Sequence, residues 1–165
     1  ELKRVGGEDV NTRSCFFIGH READEKLLPV LKAEVQRHIE ELGVTEFIVG
    51  HYGGFDHLAV QAVCAAKKEH PDICLSVLLP YHPAERPVKT SKGVDGTYYP
   101  PGMERVPRRF AIVRANRYMV DHVDFLIAYV WHTASNAREL LEYAQRRQER
   151  GLLQITLLPR EPNQP

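Results

Sequence analysis

The stretch CFFIGHR, residues Cys15–Arg21, decides how the chain folds. It opens with four apolar residues, including two phenylalanines and an isoleucine, and then reaches a glycine. This composition is typical of a short strand that is buried on both faces. Because such strands occur in parallel sheets with helices on either side, the stretch predicts the first strand of a parallel α/β sheet. The turn Gly19-His20-Arg21 follows that strand.

Four more segments along the chain repeat this pattern. Each is a short apolar run, and helical stripes separate the runs: Glu46–Gly50, Ile73–Pro80, Asp124–Val130 and Leu152–Leu158. The alternation predicts a single Rossmann-like, doubly wound parallel sheet of about five strands with helices on both faces. In such sheets the ligand lies beyond the carboxyl ends of the strands, where the strand order reverses. We therefore expect the ligand-binding residues in the loops that follow the strands.

Length and composition indicate one domain. The chain has 165 residues, of which 43% are hydrophobic and 27% charged, as in ordinary globular domains. We assign residues 1–13 to an N-terminal extension, 14–158 to the Rossmann-like domain and 159–165 to a loose tail. Residues 81–106 are rich in proline, glycine, tyrosine and charge, which predicts an irregular insert that serves as a lid or a homodimer contact.

The charge and the cysteine content of the chain indicate which kinds of partner and which compartment to expect. Lysine plus arginine equals aspartate plus glutamate, at 22 each, so no global field favours an anionic partner. We therefore expect no nucleic-acid partner, although one group of arginines is a candidate basic patch: Arg105, Arg108, Arg109, Arg114 and Arg117. Three cysteines without a Cys-x-x-Cys pair, and no apolar run near the ~20 residues that span a bilayer, predict a cytoplasmic protein without a membrane partner.

Glycines and polar side chains follow the predicted strands and suggest an anion site. Glycine lets backbone N–H groups approach an anion closely, and a helix N-terminus adds a favourable dipole. Turns of this kind on one edge of a sheet predict a site for a phosphate-bearing small molecule. The candidate ligand-binding residues in these turns are Gly19, His20, Arg21, Gly53, Gly54, Asp56, Ser135 and Asn136.

Several catalytic classes are not supported by the sequence. It contains no G-x-x-x-x-G-K-[ST] loop, no G-x-G-x-x-G turn and no G-x-S-x-G elbow, which disfavours a Walker-type nucleoside triphosphatase, a dinucleotide dehydrogenase and an α/β-hydrolase. His20, His51 and His57 lie near strand ends but lack metal-ligand spacing. We therefore predict no metal site and no required cofactor.

Longer stretches carry a family resemblance. The segments CFFIGHR, GGFDHLAVQAV, YYPPGMERVPRRFAIVRANRYMVDHVDFLIAYV and ARELLEYA together resemble the SLOG superfamily, and within it the YpsA-like branch. That superfamily includes the domain of DNA-processing protein A and the lonely-guy phosphoribohydrolases. The resemblance implies a Rossmann-like fold that binds nucleotides or nucleotide-derived ligands.

The resemblance also implies roles for particular residues. It places Gly19 with Arg21 in the first anion loop, Gly54 with Asp56 at the start of the second helix, and Asn116 with Arg117 on the helix before the fourth strand. This chain departs from the pattern in two places. Ala115 stands where the branch usually has a basic residue, and Ser135-Asn136 stands where relatives usually have paired glycines.

Glu139 has two interpretations. The more distant resemblance to the phosphoribohydrolases implies that Arg117 holds a phosphate and that Glu139 polarises the ribose or activates water, so that a base is released from a nucleoside monophosphate. Alternatively Asn136 is the N-cap of a helix and Glu139 closes a capping box at position N3. We favour the capping interpretation for Glu139. Arg117 could equally be a surface arginine paired with Asp121, one helical turn away.

The sequence therefore predicts a module that binds a nucleotide or a nucleotide-derived small molecule at the carboxyl edge of the sheet. We expect a non-catalytic sensor or regulatory role, and the contact that the insert makes suggests a homodimer. The first alternative is a phosphoribohydrolase-like hydrolase of the N-glycosidic bond. The second alternative is a DNA-associated interaction module.

Overall fold

The computed structural model describes residues 12–50 and 53–160 as one six-stranded parallel sheet with helices on both faces. The predicted extension up to residue 11, His51 and the tail from residue 161 lie outside the described residues. The strands are β1 (Arg13–Gly19), β2 (Val44–Val49), β3 (Cys74–Leu78), β4 (Gly96–Tyr98), β5 (Phe125–Tyr129) and β6 (Gln154–Leu157). The helices are α1 (Leu28–Glu40), α2 (Gly54–Lys67), α3 (Ala111–His122) and α4 (Asn136–Glu149).

The sheet order is β4-β3-β2-β1-β5-β6, and every neighbouring pair is parallel. The chain builds outward from β1 in one direction and then returns to add β5 and β6 on the other side. The strand order thus reverses between β1 and β5, and the doubly wound fold predicted from the sequence is confirmed.

The sequence predicts about five strands, and the described residues form six. The additional strand, β4, lies inside the insert that was predicted to be irregular, and it pairs with β3 at the edge of the sheet. It has three residues, Gly-Thr-Tyr, of which only Tyr98 is buried. A strand this short and polar carries no apolar period, so the sequence pattern could not reveal it.

Alternate side chains of the strands fill two cores, one on each face of the sheet. Phe17 of β1 and Ile127 of β5 face the helices α1 and α2, whereas Phe16 and Leu126 face α3 and α4. All four side chains are almost completely buried. This two-sided burial explains why the strand sequences are apolar throughout. Within the described residues, no helix is long and apolar enough to cross a membrane.

Polar contacts made by Lys67 and Asp95 hold the insert against the rest of the domain. The Lys67 ammonium on α2 forms an ion pair with Asp95 and also donates to the carbonyl of Gly93, at 2.8 Å. The same Asp95 carboxylate accepts a hydrogen bond from the backbone N–H of Leu75, at 2.8 Å. The residues just before β4 therefore hold a defined position against α2 and β3.

His38 is a fully buried histidine on α1 that is held in its neutral form. Its Nδ1–H donates to the carbonyl of Glu34 at 2.7 Å, its Nε2 has no hydrogen-bond partner among the described residues, and its ring packs edge-on against Phe125. Burial lowers the pKa of His38, an effect that Arg37 strengthens and that Glu34 opposes. Protonation would place a charge in the apolar core, so the folded state disfavours it.

We predict that the protein loses stability as the pH falls below about 6.5, the ordinary pKa of histidine. Above that value His38 is neutral in both states, but below it the unfolded chain binds a proton that the folded chain does not. The measurement is urea unfolding at several pH values between 8 and 5 for the wild type and for His38→Leu, which should show a weaker pH dependence.

His122 supplies the matched control for this prediction. It forms the same kind of bond, from Nδ1 to the carbonyl of Tyr118 at 2.7 Å, but its side chain is exposed. His122→Leu should keep the wild-type pH dependence. An unchanged pH dependence in His38→Leu would show that burial of this ring does not govern stability in acid.

Candidate functional site

A cavity of about 340 Å³ opens at the carboxyl edge of the sheet, where the strand order reverses. Its floor is the end of β1, and its walls are the turn after β1, the start of α2, one face of α3 and the start of α4. Its described lining consists of Phe16, Phe17, Ile18, Gly19, His20, Arg21, Gly50, Gly53, Asp56, Ile112, Val113, Asn116, Arg117, Ser135, Asn136, Ala137, Glu139 and Leu140.

The structure brings together all of the predicted ligand-binding residues except one. Gly54 does not line the cavity; its backbone N–H instead donates to the carbonyl of Arg21, at 2.7 Å. The sequence reasoning missed the apolar wall, which Ile112, Val113 and Leu140 form. A signal for it existed, because Val113 lies one helical turn before Asn116 and Arg117 and therefore shares their face of α3.

The glycines of the turns allow protein segments to pack closely against one another. A Cβ atom on Gly19 would lie 2.3 Å from the Phe55 ring, and one on Gly53 would lie 2.8 Å from the Cα of Arg21. Real atoms do not approach so closely, so side chains at these positions would push the two turns apart. We had predicted that the glycines let an anion approach the backbone. That role stays a prediction, whereas the structure shows that Gly19 and Gly53 let α2 pack against the turn after β1.

His20 ties the turn after β1 to the loop after β5. Its Nε2 accepts hydrogen bonds from the backbone N–H groups of Trp131 and His132, at 2.9 and 3.2 Å. An imidazole nitrogen that accepts two hydrogen bonds is unprotonated. Burial, together with the nearby His132, lowers the pKa of His20 and favours this neutral form. His20 therefore lines the cavity and positions its far wall.

The capping pattern at the start of α4 differs from the one predicted. Ser135 is the N-cap, and its hydroxyl accepts a hydrogen bond from the N–H of Arg138 at 3.1 Å. Asn136 is thus the first helical residue, and Glu139 lies at N4, one position too far along for a capping box. The predicted capping role of Glu139 is therefore wrong. Serine can cap as well as asparagine, and the sequence does not distinguish two adjacent candidates.

Arg117 does not form the predicted pair with Asp121. The Asp121 carboxylate instead accepts a hydrogen bond from the Tyr143 hydroxyl at 2.6 Å and pairs with Arg147 at 3.5 Å. The guanidinium of Arg117 lies over the Tyr143 ring, 5.3 Å from its centre. An arginine on an aromatic face keeps its N–H donors, so Arg117 can still bind an anion.

The basic patch predicted from the sequence surrounds the start of α3. All five arginines are exposed: Arg105, Arg108, Arg109, Arg114 and Arg117. Within the described part of the chain, only Arg108 of this group forms an ion pair, with Glu85 at 3.2 Å. Arg21, on the opposite side of the cavity, is likewise exposed and forms no ion pair with a described residue. Positive charge therefore lies on two sides of the cavity.

The described lining of the cavity also includes carboxylates and a histidine. Asp56 and Glu139 both line it, on α2 and α4 respectively. Among residues 12–50 and 53–160, no three histidine, cysteine, aspartate or glutamate side chains are arranged to hold a metal ion. His57 lies outside the cavity lining, whereas His20 lies within it.

Comparison with known proteins identifies the fold. No protein-family model and no curated protein matches the chain. Among solved structures, the chain is similar to DNA processing protein A from Helicobacter pylori, with a TM-score of 0.60 and 17% sequence identity, over 92% of this chain and 67% of that one. The chain therefore has a Rossmann-like fold of the DNA processing protein A type. Membership of the SLOG superfamily and its YpsA-like branch stays a prediction.

The comparison corrects one expectation. The similar protein binds single-stranded DNA, so the expectation that nucleic acid is excluded as a partner is wrong. That expectation rested on net charge, which sums over the whole chain. Affinity for a polyanion depends instead on where the positive charges lie.

We predict that Ser135 stabilises α4 and that Glu139 contributes much less. Ser135→Ala removes the side-chain acceptor at the N-cap and should lower the free energy of unfolding by about 1 kcal/mol. Glu139→Gln removes only a charge near the helix N-terminus and should lower it by roughly 0.3 kcal/mol. Chemical denaturation of both variants measures the two values.

Thr133→Ala serves as the control, because Thr133 is an exposed residue of the same loop. It should leave the free energy of unfolding unchanged. Because glutamine can also close a capping box, Glu139→Ala tests that alternative: a loss as large as that in Ser135→Ala would restore the capping box and refute the assignment of Ser135 as the N-cap.

Proposed function

We propose that the protein binds single-stranded DNA, and that the cavity at the carboxyl edge holds one nucleotide of the strand. The observation that carries the proposal is the pair of exposed arginines, Arg21 and Arg117, on opposite sides of a cavity with an apolar wall. The shared fold with a protein that binds single-stranded DNA supports this choice of polymer.

The phosphate of that nucleotide is assigned to the space between the turn after β1 and the start of α4. Arg21 faces this space from one side, and Asn136 and Ala137 open α4 on the other. The first N–H groups of a helix have no acceptor within the helix, and they point toward an anion placed there. An arginine can add a bidentate contact to the same phosphate.

The base is assigned to the apolar wall. Ile112, Val113 and Leu140 form an apolar surface against which the flat face of a base can pack with release of water, and Val113 is 44% exposed. Next to this wall, Phe110 is 49% exposed, and the Arg109 guanidinium lies 4.7 Å from its ring centre. Exposed aromatic rings beside arginines are typical stacking positions for the bases of a single strand.

A cavity of this shape selects single strands over duplexes. In a duplex each base is paired and stacked, so a base can enter a pocket only after it has been flipped out at a cost of a few kcal/mol. A single strand has its bases free already. The proposed mode of binding therefore needs no opening of the helix.

A second candidate function is the binding of a free nucleotide or a nucleotide-derived small molecule, in a sensor or regulatory role. The cavity volume of about 340 Å³ supports it, because pockets for small ligands begin near this size. The same two arginines and the same helix start would hold the phosphate. The hydrolase hypothesis uses this cavity as well, with Glu139 as the residue that activates water.

We predict that the protein binds a labelled oligothymidylate and prefers it to duplex DNA of the same length. Arg21→Ala and Arg117→Ala should each weaken binding, and each should reduce the slope of log K against log salt by about 1, the effect of losing one phosphate contact. Fluorescence polarisation at several salt concentrations measures both quantities.

Arg150→Ala is the matched control, because Arg150 is exposed but lies at the far end of α4. It removes the same charge and should leave affinity and salt slope close to the wild-type values. Equal losses in all three variants would indicate diffuse attraction to the whole surface. That result, or equal affinity for single and double strands, would contradict a nucleotide site at the cavity.

For the second candidate we predict that nucleoside monophosphates raise the melting temperature and are recovered intact. Thermal shift assays measure binding, and chromatography of the same mixtures detects any free base. Release of a base that disappears in Glu139→Gln would establish the hydrolase instead. If the melting temperature does not change with any nucleotide, the small-molecule candidate fails.

A further inference from the structure

The side chains of Arg117 and Arg146 meet at one aromatic ring on the face formed by α3 and α4. The guanidinium carbon of Arg117, on α3, lies 5.3 Å from the ring centre of Tyr143, and the guanidinium carbon of Arg146, on α4, lies 5.8 Å from it. Both arginines are exposed, whereas Tyr143 is half-buried and packs against the core beneath these two helices. One ring therefore holds two cations at the surface.

Polar contacts between the two helices hold the Tyr143 ring in place. Its hydroxyl donates a hydrogen bond to the Asp121 carboxylate on α3, at 2.6 Å. Arg147 in turn pairs with that carboxylate at 3.5 Å and donates to the Asp121 backbone carbonyl at 3.1 Å. Because a guanidinium is attracted to the face of an aromatic ring, a fixed ring also restricts where the two guanidiniums lie.

No carboxylate of the described residues forms an ion pair with either guanidinium. Asp121 pairs with Arg147, and Glu142 pairs with Arg138 at 3.6 Å. Glu139 lines the main cavity. Two like charges that share one ring repel each other, and an anion placed between them removes that repulsion. The two arginines therefore favour a negatively charged ligand.

The main cavity lies next to this pair of arginines. Arg117 itself lines that cavity. Leu140, which also lines it, precedes Tyr143 by three residues on α4, and Arg146 follows Tyr143 by three more. Residues at this spacing are neighbours on a helix surface, and six residues of helix cover about 9 Å. A strand that leaves the cavity past Arg117 therefore reaches Arg146 after a short distance.

The chemical group that fits two guanidiniums is a phosphate. Each guanidinium presents a planar fork of N–H donors that matches two phosphate oxygens, and an arginine whose face rests on a ring keeps those donors. A nucleoside monophosphate has one phosphate, which the proposed function assigns to Arg21 and the start of α4. A single strand carries another phosphate on the next nucleotide.

We infer that Arg117 and Arg146, positioned by Tyr143, bind the phosphate next to the one held by Arg21 when single-stranded DNA occupies the main cavity. This inference rests on the proposed function. The strand then leaves the cavity along the face of α3 and α4. Tyr143 is a positioning residue, because it acts through the two guanidiniums and needs no contact of its own with the strand.

Arg146→Ala tests the phosphate contact, with thymidine monophosphate and a short labelled oligothymidylate as ligands. The affinity for the oligothymidylate should fall about tenfold, the effect of losing one charge-assisted contact. The affinity for the monophosphate and the melting temperature should stay unchanged. Arg150→Ala is the matched control, because Arg150 is an exposed arginine at the C-cap of α4, four residues further along. It should bind the oligothymidylate like the wild type.

Tyr143→Leu tests the positioning role. Removal of the ring should weaken binding of the oligothymidylate about threefold, the size of a cation–π contact at an exposed site. Tyr143→Phe keeps the ring and should bind like the wild type. When Arg117 and Arg146 are both replaced by alanine, Tyr143→Leu should cause no further loss, because no guanidinium remains to be positioned.

Tyr118→Leu is the matched control for the ring. Tyr118 is a half-buried tyrosine of α3 that stacks on the ring of His122. Its replacement should leave the affinity for the oligothymidylate at the wild-type value. A loss as large as that in Tyr143→Leu would show that any tyrosine of this face affects binding through the fold, and it would overturn the positioning role.

Two further results would overturn this phosphate site. One is equal affinity of Arg146→Ala and Arg150→Ala for the oligothymidylate, and the other is a further loss from Tyr143→Leu when both guanidiniums are absent. If Arg21→Ala still weakens binding in the same assay, the proposed function stands without the second site. Failure of the wild type to bind any single strand would overturn the proposed function itself.

Discussion

The turn Gly19-His20-Arg21 is the constraint on which the functional edge of this protein depends. Three contacts converge on it: the Phe55 ring packs against Gly19, the His20 ring accepts two N–H groups from the loop after β5, and the Arg21 carbonyl accepts the Gly54 N–H at 2.7 Å. The first and third contacts position α2, and the second positions the loop that leads to α4. One turn of three residues therefore positions two of the cavity walls, the start of α2 and the start of α4.

In this turn the packing groups and the group available to a ligand are different. The backbone and the buried ring of the turn are used for packing, whereas the Arg21 side chain is exposed and available to a ligand. The same division recurs at the start of α4, where the Ser135 hydroxyl caps the helix and the Glu139 side chain is exposed at the cavity. Residues that hold the site together are thus distinct from residues that can act on a ligand.

The sequence was sufficient for the fold and for the edge of the sheet at which the cavity lies, but not for the details of either. Strands that are apolar throughout, such as CFFIG, predict a parallel α/β sheet, because helices must cover both faces of such a sheet. The three-residue β4 has no such requirement, since it is an edge strand. The cap of α4 was misassigned by one residue because Ser135 and Asn136 have nearly equal capping preference, so the choice depends on the backbone geometry of the loop.

Net charge was the most misleading feature of the sequence, and the structure shows why. The acidic side chains that form ion pairs include Glu34, Asp95 and Asp121, whose partners Arg37, Lys67 and Arg147 lie in the last turns of α1, α2 and α4. The helices that follow parallel strands run back toward the amino edge of the sheet, so these pairs cancel charge away from the cavity. Arg21, Arg114 and Arg117 are exposed and take no part in the ion pairs formed among the described residues. A chain with formal net charge +0 can in this way still concentrate exposed arginines at one edge of its sheet.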